Sequence, residues 1–141
     1  MRRHVLAAVA MLLVACGGDN STGPQTVTGT YTLRTVNGVS LPATFYQDDY
    51  ERDDFFDGNV VLAADHSWSG TFSIRAIELP GGGILGSGDV PVSGTYSLNN
   101  GAITLTDAVH ALQWSGTVGA GTLAIGADLG NLQTTALVFR K

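Results

Sequence analysis

The chain has 141 residues, of which 13% are charged, with 12 acidic side chains against 7 Lys and Arg and a formal charge of −5. That balance argues against a nucleic-acid partner, because phosphate binding needs clustered Lys and Arg. The length suits one domain with a self-sufficient core, and the single cysteine excludes an internal disulfide.

Taken in chain order, Met1-Arg2-Arg3-His4 is a short positive start and Val5–Ala15 is unbroken apolar sequence. A spanning helix needs ~20 apolar residues, so this run is too short and suits the core of a secretory signal peptide. It ends in Leu13-Val14-Ala15-Cys16, which resembles the lipobox of bacterial lipoproteins. The resemblance implies cleavage before Cys16, diacylglycerol on its thiol and a membrane anchor, since two or more acyl chains hold stably where one does not. We therefore expect residues 1–15 to be a signal peptide, 16–26 a lipidated flexible tether rich in Gly, Pro and small polar residues, and 27–141 the folded domain. Removing Arg2 and Arg3 leaves five basic residues against 12 acidic ones, a charge of −7. The expected location is the bacterial cell envelope, at the inner or outer membrane, with the domain outside the cytoplasm.

Past residue 26 one pattern recurs: Gly29-Thr30-Tyr31-Thr32-Leu33, Gly70-Thr71-Phe72-Ser73-Ile74, Gly94-Thr95-Tyr96-Ser97-Leu98 and Gly121-Thr122-Leu123-Ala124-Ile125. Alternation with period two predicts strands with one face buried and one wet. The glycine shares the buried face, where it permits a bend or a close backbone approach. Turn sequences separate the strands: Asn37-Gly38, Ala64-Asp65-His66-Ser67, Asn99-Asn100-Gly101, Gly119-Ala120-Gly121 and Gly130-Asn131. About eight strands joined by short hairpins predict an all-β, antiparallel up-and-down barrel, with a two-sheet sandwich as the alternative. Two connections read as loops. Val39–Phe56 is long and acidic, with room for a short helix carrying Tyr46 and Tyr50. Leu79–Asp89 is glycine-rich and reads as mobile, with an exposed Ile84-Leu85 pair.

Gly29-Thr30-Tyr31, the following VNGVSLP, the GTYSLNNGAITL hairpin and the final Phe139-Arg140 resemble the lipocalin-like small barrels found among bacterial lipoproteins, over residues 27–141. Lipocalins carry Gly-x-Trp in the first strand, with a late arginine packed over the tryptophan. Here Tyr31 stands in that place, and the resemblance assigns Tyr31 and Arg140 to a cation–π closure of the barrel. It also implies a lid after the first strand and a ligand inside.

Candidate chemistry is sparse. Asp48, Asp49, Glu51, Asp53, Asp54 and Asp57 offer oxygens to calcium, but their order does not fit an EF-hand loop, and a solvated acidic loop is the simpler reading. His66 and His110 lack the partners of a zinc site. There is no G-x-S-x-G elbow, and GGGILGSG lacks the lysine and helix of a phosphate loop. No catalytic residue, metal or cofactor is therefore expected. Tyr31, Leu33, Phe72, Ile74, Tyr96, Leu98, His110, Leu112 and Trp114 are assigned inward. They either fill a solid core or line a cavity for a small hydrophobic ligand, with the tyrosine hydroxyls and His110 as polar contacts. The sequence thus points to a monomeric binding module, or alternatively to a protein-interaction, inhibitor or envelope-structural module with a filled barrel acting through its two long loops.

Overall fold

The computed structural model describes residues 26–129 and 133–141. The lipobox residues Leu13, Val14, Ala15 and Cys16, and the turn at Gly130-Asn131, lie outside them. The described residues form β1 (Gly29–Val36), β2 (Val39–Ser40), β3 (Ala43–Gln47), β4 (Glu51–Leu62), β5 (Ser67–Glu78), β6 (Ile84–Asn99), β7 (Ala102–Asp107), β8 (Leu112–Gly119), β9 (Thr122–Asp128) and β10 (Thr134–Arg140), with no helix among them. Neighbours in sequence from β3 to β10 are neighbours in space, β10 pairs with β1, and β1 pairs back with β4. Eight antiparallel strands thereby close an up-and-down barrel, with β2 and β3 as additions. It is the expected barrel, not the sandwich, and it is compatible with the lipocalin-like resemblance.

Alternation explains the inside. On β1 Tyr31 and Leu33 are buried while Thr30 and Arg34 are exposed; on β9 Leu123, Ile125 and Ala127 are buried. Of the four recurring glycines, Gly29 and Gly121 take positive φ, while Gly70 and Gly94 allow the close approach that the pattern suggests. A Cβ at Gly70 would sit 2.3 Å from the Asn59 carbonyl oxygen, and one at Gly94 1.7 Å from that of Thr106. Those positions let neighbouring backbones approach. Bulges reset the alternation in four places: between Leu33 and Thr35 of β1, between Thr44 and Tyr46 of β3, between Phe55 and Asp57 of β4, and where β6 inserts Leu85 opposite Ala76-Ile77.

The two ends of the barrel differ. At the closed end lie the tight turns after β4, β6 and β8, and Tyr31, Trp68 and Tyr96 fill the interior there. The Tyr31 hydroxyl donates to the Val27 carbonyl and that of Tyr96 to Ala63, both at 2.6 Å. At the other end, the mouth, β7 and β8 stop early. Asp107 of β7 stands opposite Gly94, while β4, β5 and β6 run on. With β3 they form a four-stranded flap above the mouth.

The flap overturns the reading of both long connections as loops. Val39–Phe56 holds β2, β3 and the start of β4, and no helix. Asp48 makes the turn: its Oδ1 accepts the backbone N–H of Tyr50 and of Glu51, each at 2.8 Å, which fixes a hairpin in place of a helical turn. Leu79–Asp89 is mostly strand, because β6 begins at Ile84 and pairs with β5 from there. The glycine content suggests a loop, yet an edge strand needs no side chains to pack where both faces are wet.

Candidate functional site

A pocket of ≈ 120 Å³ opens at the mouth, under the flap. β5 supplies Phe72 and Ile74, β8 supplies Leu112 and Trp114, and β6 supplies Val90 and Val92. Phe55 of the flap and Leu129 complete the apolar wall; Asp107 and His110 stand at its β7–β8 side. The floor is aromatic. Phe72 makes edge contacts with Trp114 and Phe139, at 6.0 and 6.2 Å between ring centroids, and packs on Phe55 at 5.4 Å, which in turn meets Phe45 at 4.3 Å. Below this floor the barrel is packed: Leu33, Val60, Leu62, Leu105, Leu123 and Leu137 are each at most 2% exposed. An engineered cavity of about 150 Å³ holds one benzene. A pocket of this volume has room for one ring or a short branched alkyl group, and not for a whole acyl chain.

The polar side of the pocket is a fixed turn. The buried Asp107 carboxylate accepts the backbone N–H of Val109 at 2.8 Å and of His110 at 3.1 Å on Oδ1, and its Oδ2 lies 2.7 Å from His110 Nδ1. Burial alone would push the Asp107 carboxyl up. The His110 ring bond and the two backbone bonds together outweigh it and hold the carboxyl below the usual carboxylate range. The carboxylate also orients the imidazole. In the wall beside them the Trp114 indole N–H is buried without a hydrogen-bond partner among the described residues, whereas that of Trp68 donates to the Thr106 carbonyl at 3.1 Å.

Of the residues assigned inward from sequence, Phe72, Ile74, His110, Leu112 and Trp114 meet at this pocket. Tyr31, Leu33 and Tyr96 are inside but belong to the packed core. Their position corrects one expectation: the tyrosine hydroxyls are used on backbone carbonyls at the closed end, away from the pocket. Burial, followed by the neighbouring Tyr96, pushes the Tyr31 hydroxyl above the usual phenol range. Leu98 has the right face but lies near the end of β6, 37% exposed. His110 lies in the turn before β8, not in the strand with Leu112.

The barrel closure also differs from the expectation. Arg140 is exposed, and the cation over the Tyr31 ring is Lys141, with Nζ 5.1 Å from the centroid. Alternation is the reason: Phe139 is buried, so Arg140 points out and the next residue returns to the inner side. Lys141 Nζ also donates to the carbonyls of Thr26 and Thr28, at 2.9 and 2.7 Å.

Phe55, Val90, Val92, Asp107 and Leu129 line the pocket without having been singled out by sequence. The β4 bulge hides Phe55 by shifting its parity relative to Val60 and Leu62. Val90 and Val92 carried a usable signal, because they continue the alternation of Gly94 and Tyr96. Apart from Glu51 and Asp53, which stand side by side on β4, the acidic run does not converge. Asp48 holds a turn, Asp54 accepts from Thr44 Oγ1 at 2.7 Å and pairs with Arg52 Nη2 at 3.1 Å, and Asp57 caps the Gly58 N–H. No group of three or more His, Cys, Asp or Glu among the described residues is placed to hold a metal ion. Comparison with protein-family models, with curated proteins and with solved structures finds no match for the chain.

Proposed function

We propose that the protein is a binding module that holds a small hydrophobic molecule at the barrel mouth, carried on a membrane-anchored lipoprotein outside the cytoplasm. The observation that carries the reading is the apolar pocket over the Phe55–Phe72–Trp114 floor, open to one side and fixed on the other by the Asp107–His110 turn. Small-molecule sites have this form: mostly apolar walls with a few placed polar groups. The size favours a monocyclic aromatic compound or a short branched alkyl group over a fatty acid.

The lipobox resemblance supports the anchor. The described chain begins at the closed end, where Lys141 holds the carbonyls of Thr26 and Thr28. A flexible tether attached there spaces the domain off the bilayer without orienting it, and it leaves the mouth, at the opposite end of the barrel, free to take a ligand from the aqueous side.

Native mass spectrometry of the protein purified from cells, followed by solvent extraction, tests the reading. A stoichiometric adduct of single-ring size that is lost from Phe72→Ala supports it. A bare mass, together with no chemical-shift change at Ile74, Leu112 and Trp114 on titrating toluene and isobutanol, removes it.

A further inference from the structure

The flap ends in an open strand edge. β7 pairs with β6 only from Gly94 to Asn99, so residues 84–92 of β6 are laddered to β5 on one side alone, and every residue from Ile84 to Pro91 is exposed. The direction of the free groups follows from two hydrogen bonds. The Tyr96 N–H donates to the His66 carbonyl on the β5 side, while the Ser93 carbonyl accepts from Ala108 on the β7 side. Alternation then turns the N–H and C=O of Ser87 and Asp89 outward, into solvent. Pro91 shares that parity, so its missing N–H removes nothing from the β5 ladder and ends the open edge at one side. The Leu85 bulge ends it at the other.

The flap beside this edge carries unbalanced acid. Glu51 stands directly opposite Glu78, a like-charge cross-strand pair that is unfavourable unless a cation joins it. Burial, and Glu51 next, push the neighbouring Asp53 carboxyl above the usual range. The two cations of these strands are engaged: Arg52 pairs with Asp54, and Arg75 lies over the Phe56 ring at 3.9 Å. Between the edge and Glu78, the surface of β6 is bare. A Cβ added at Gly86 or Gly88 would meet nothing within 4 Å, and neither glycine has a positive φ. Long side chains from a strand laid against β6 can cross those glycines toward the acids. Ile84 and Leu85, 62% and 56% exposed, offer apolar contact beside it.

We propose that the open edge of β6 takes up an extended, lysine- or arginine-rich segment of a partner protein as a fifth strand of the flap. Main-chain bonds to Ser87 and Asp89 supply the pairing, and the Glu51–Glu78–Asp53 group selects positive charge. The edge adjoins the pocket at Val90 and Ile74, but its pairing groups, Ser87 and Asp89, do not line it, and strand uptake there does not rest on the pocket's ligand.

The test uses a fluorescein-labelled peptide of five Lys-Val repeats and the full chain. The expected result is saturable binding that weakens as salt rises, with new hydrogen-exchange protection at the Ser87 and Asp89 amides. Ser87→Pro, which removes an outward N–H and no β5 bond, lowers affinity at least tenfold at an unchanged thermal midpoint; Glu51→Gln with Glu78→Gln lowers it several-fold. If Ser87→Pro does not fold, the exchange pattern of the unaltered chain decides. Equal binding of a Glu-Val peptide, equal binding by Ser87→Pro, or protection on β3 instead of β6 overturns the proposal. So does concentration-dependent self-association that protects the same amides without peptide, since the edge then serves a second copy of this chain.

Discussion

The barrel and the flap are built from the same strands, yet glycine means opposite things in them. In the barrel, Gly94 and Gly116 sit where an added Cβ would fall 1.7 and 1.9 Å from carbonyl oxygens of Thr106 and Ala124. There the missing side chain lets backbones touch. In the flap, Gly86 and Gly88 face open space, and the missing side chain leaves a surface bare. One is a requirement of packing and the other a property of the exposed face. The contrast separates what holds the molecule together from what it presents.

Substitutions can break or sharpen that contrast. The largest effect is expected for Phe72→Ala, which removes the ring joining the pocket floor to the core. It should cost about 3–5 kcal/mol in urea unfolding, while Ile84→Ala at the flap changes stability by less than about 0.5 kcal/mol. Next is Gly94→Ala, expected to cost on the order of 3 kcal/mol because backbone must part to admit the methyl. Gly88→Ala should be neutral or slightly stabilising, by up to about 0.5 kcal/mol, since it removes unfolded-state freedom without a clash. A costly Gly88→Ala would show that the flap face is covered.

Asp107→Asn is expected to lose about 1–2 kcal/mol at neutral pH through its weakened bonds to His110 and Val109. The pH dependence has a definite sign. Because the folded-state carboxyl is held below its unfolded value, its contribution is complete above about pH 4 and is lost as pH falls through the folded value. The unaltered chain should therefore lose more stability than Asp107→Asn between pH 5 and pH 2, as read from urea midpoints. The smallest effect is at the closed end. Lys141→Met should lower stability by about 0.5–1 kcal/mol through its contact with Tyr31 and two carbonyls, and Arg140→Met should leave it unchanged.

The sequence made the barrel legible because period-two alternation survives along most of β1, β5, β6 and β9. It became unreadable where bulges reset the period. Phe55 and Val36 are buried on the shifted side of bulges in β4 and β1, and strict alternation places neither. The flap was hidden for another reason. Its acidic and glycine-rich stretches pack against little, so they lack the apolar signal of a strand and owe their conformation to the ladder with β4 and β5. Half of the pocket, Phe72, Ile74, His110, Leu112 and Trp114, was visible as inward-facing residues. Asp107 was not, because a buried carboxylate that closes a turn looks in sequence like any surface aspartate.

The position of β1 has a consequence for how the molecule is made. Its two edges are claimed by β4 near one end and by β10, the final strand, along the other. A chain emerging amino terminus first holds β1 early but cannot close the cylinder until Thr134–Arg140 arrives. The contact that completes the fold is thus the one most distant in sequence, and such closures are slow. Until the last strand docks, the chain is a curled sheet with two raw edges, liable to pair with neighbours. Closure of the cylinder therefore waits on its last strand, and the exposed edge of β1 is the one that must stay unpaired until β10 reaches it.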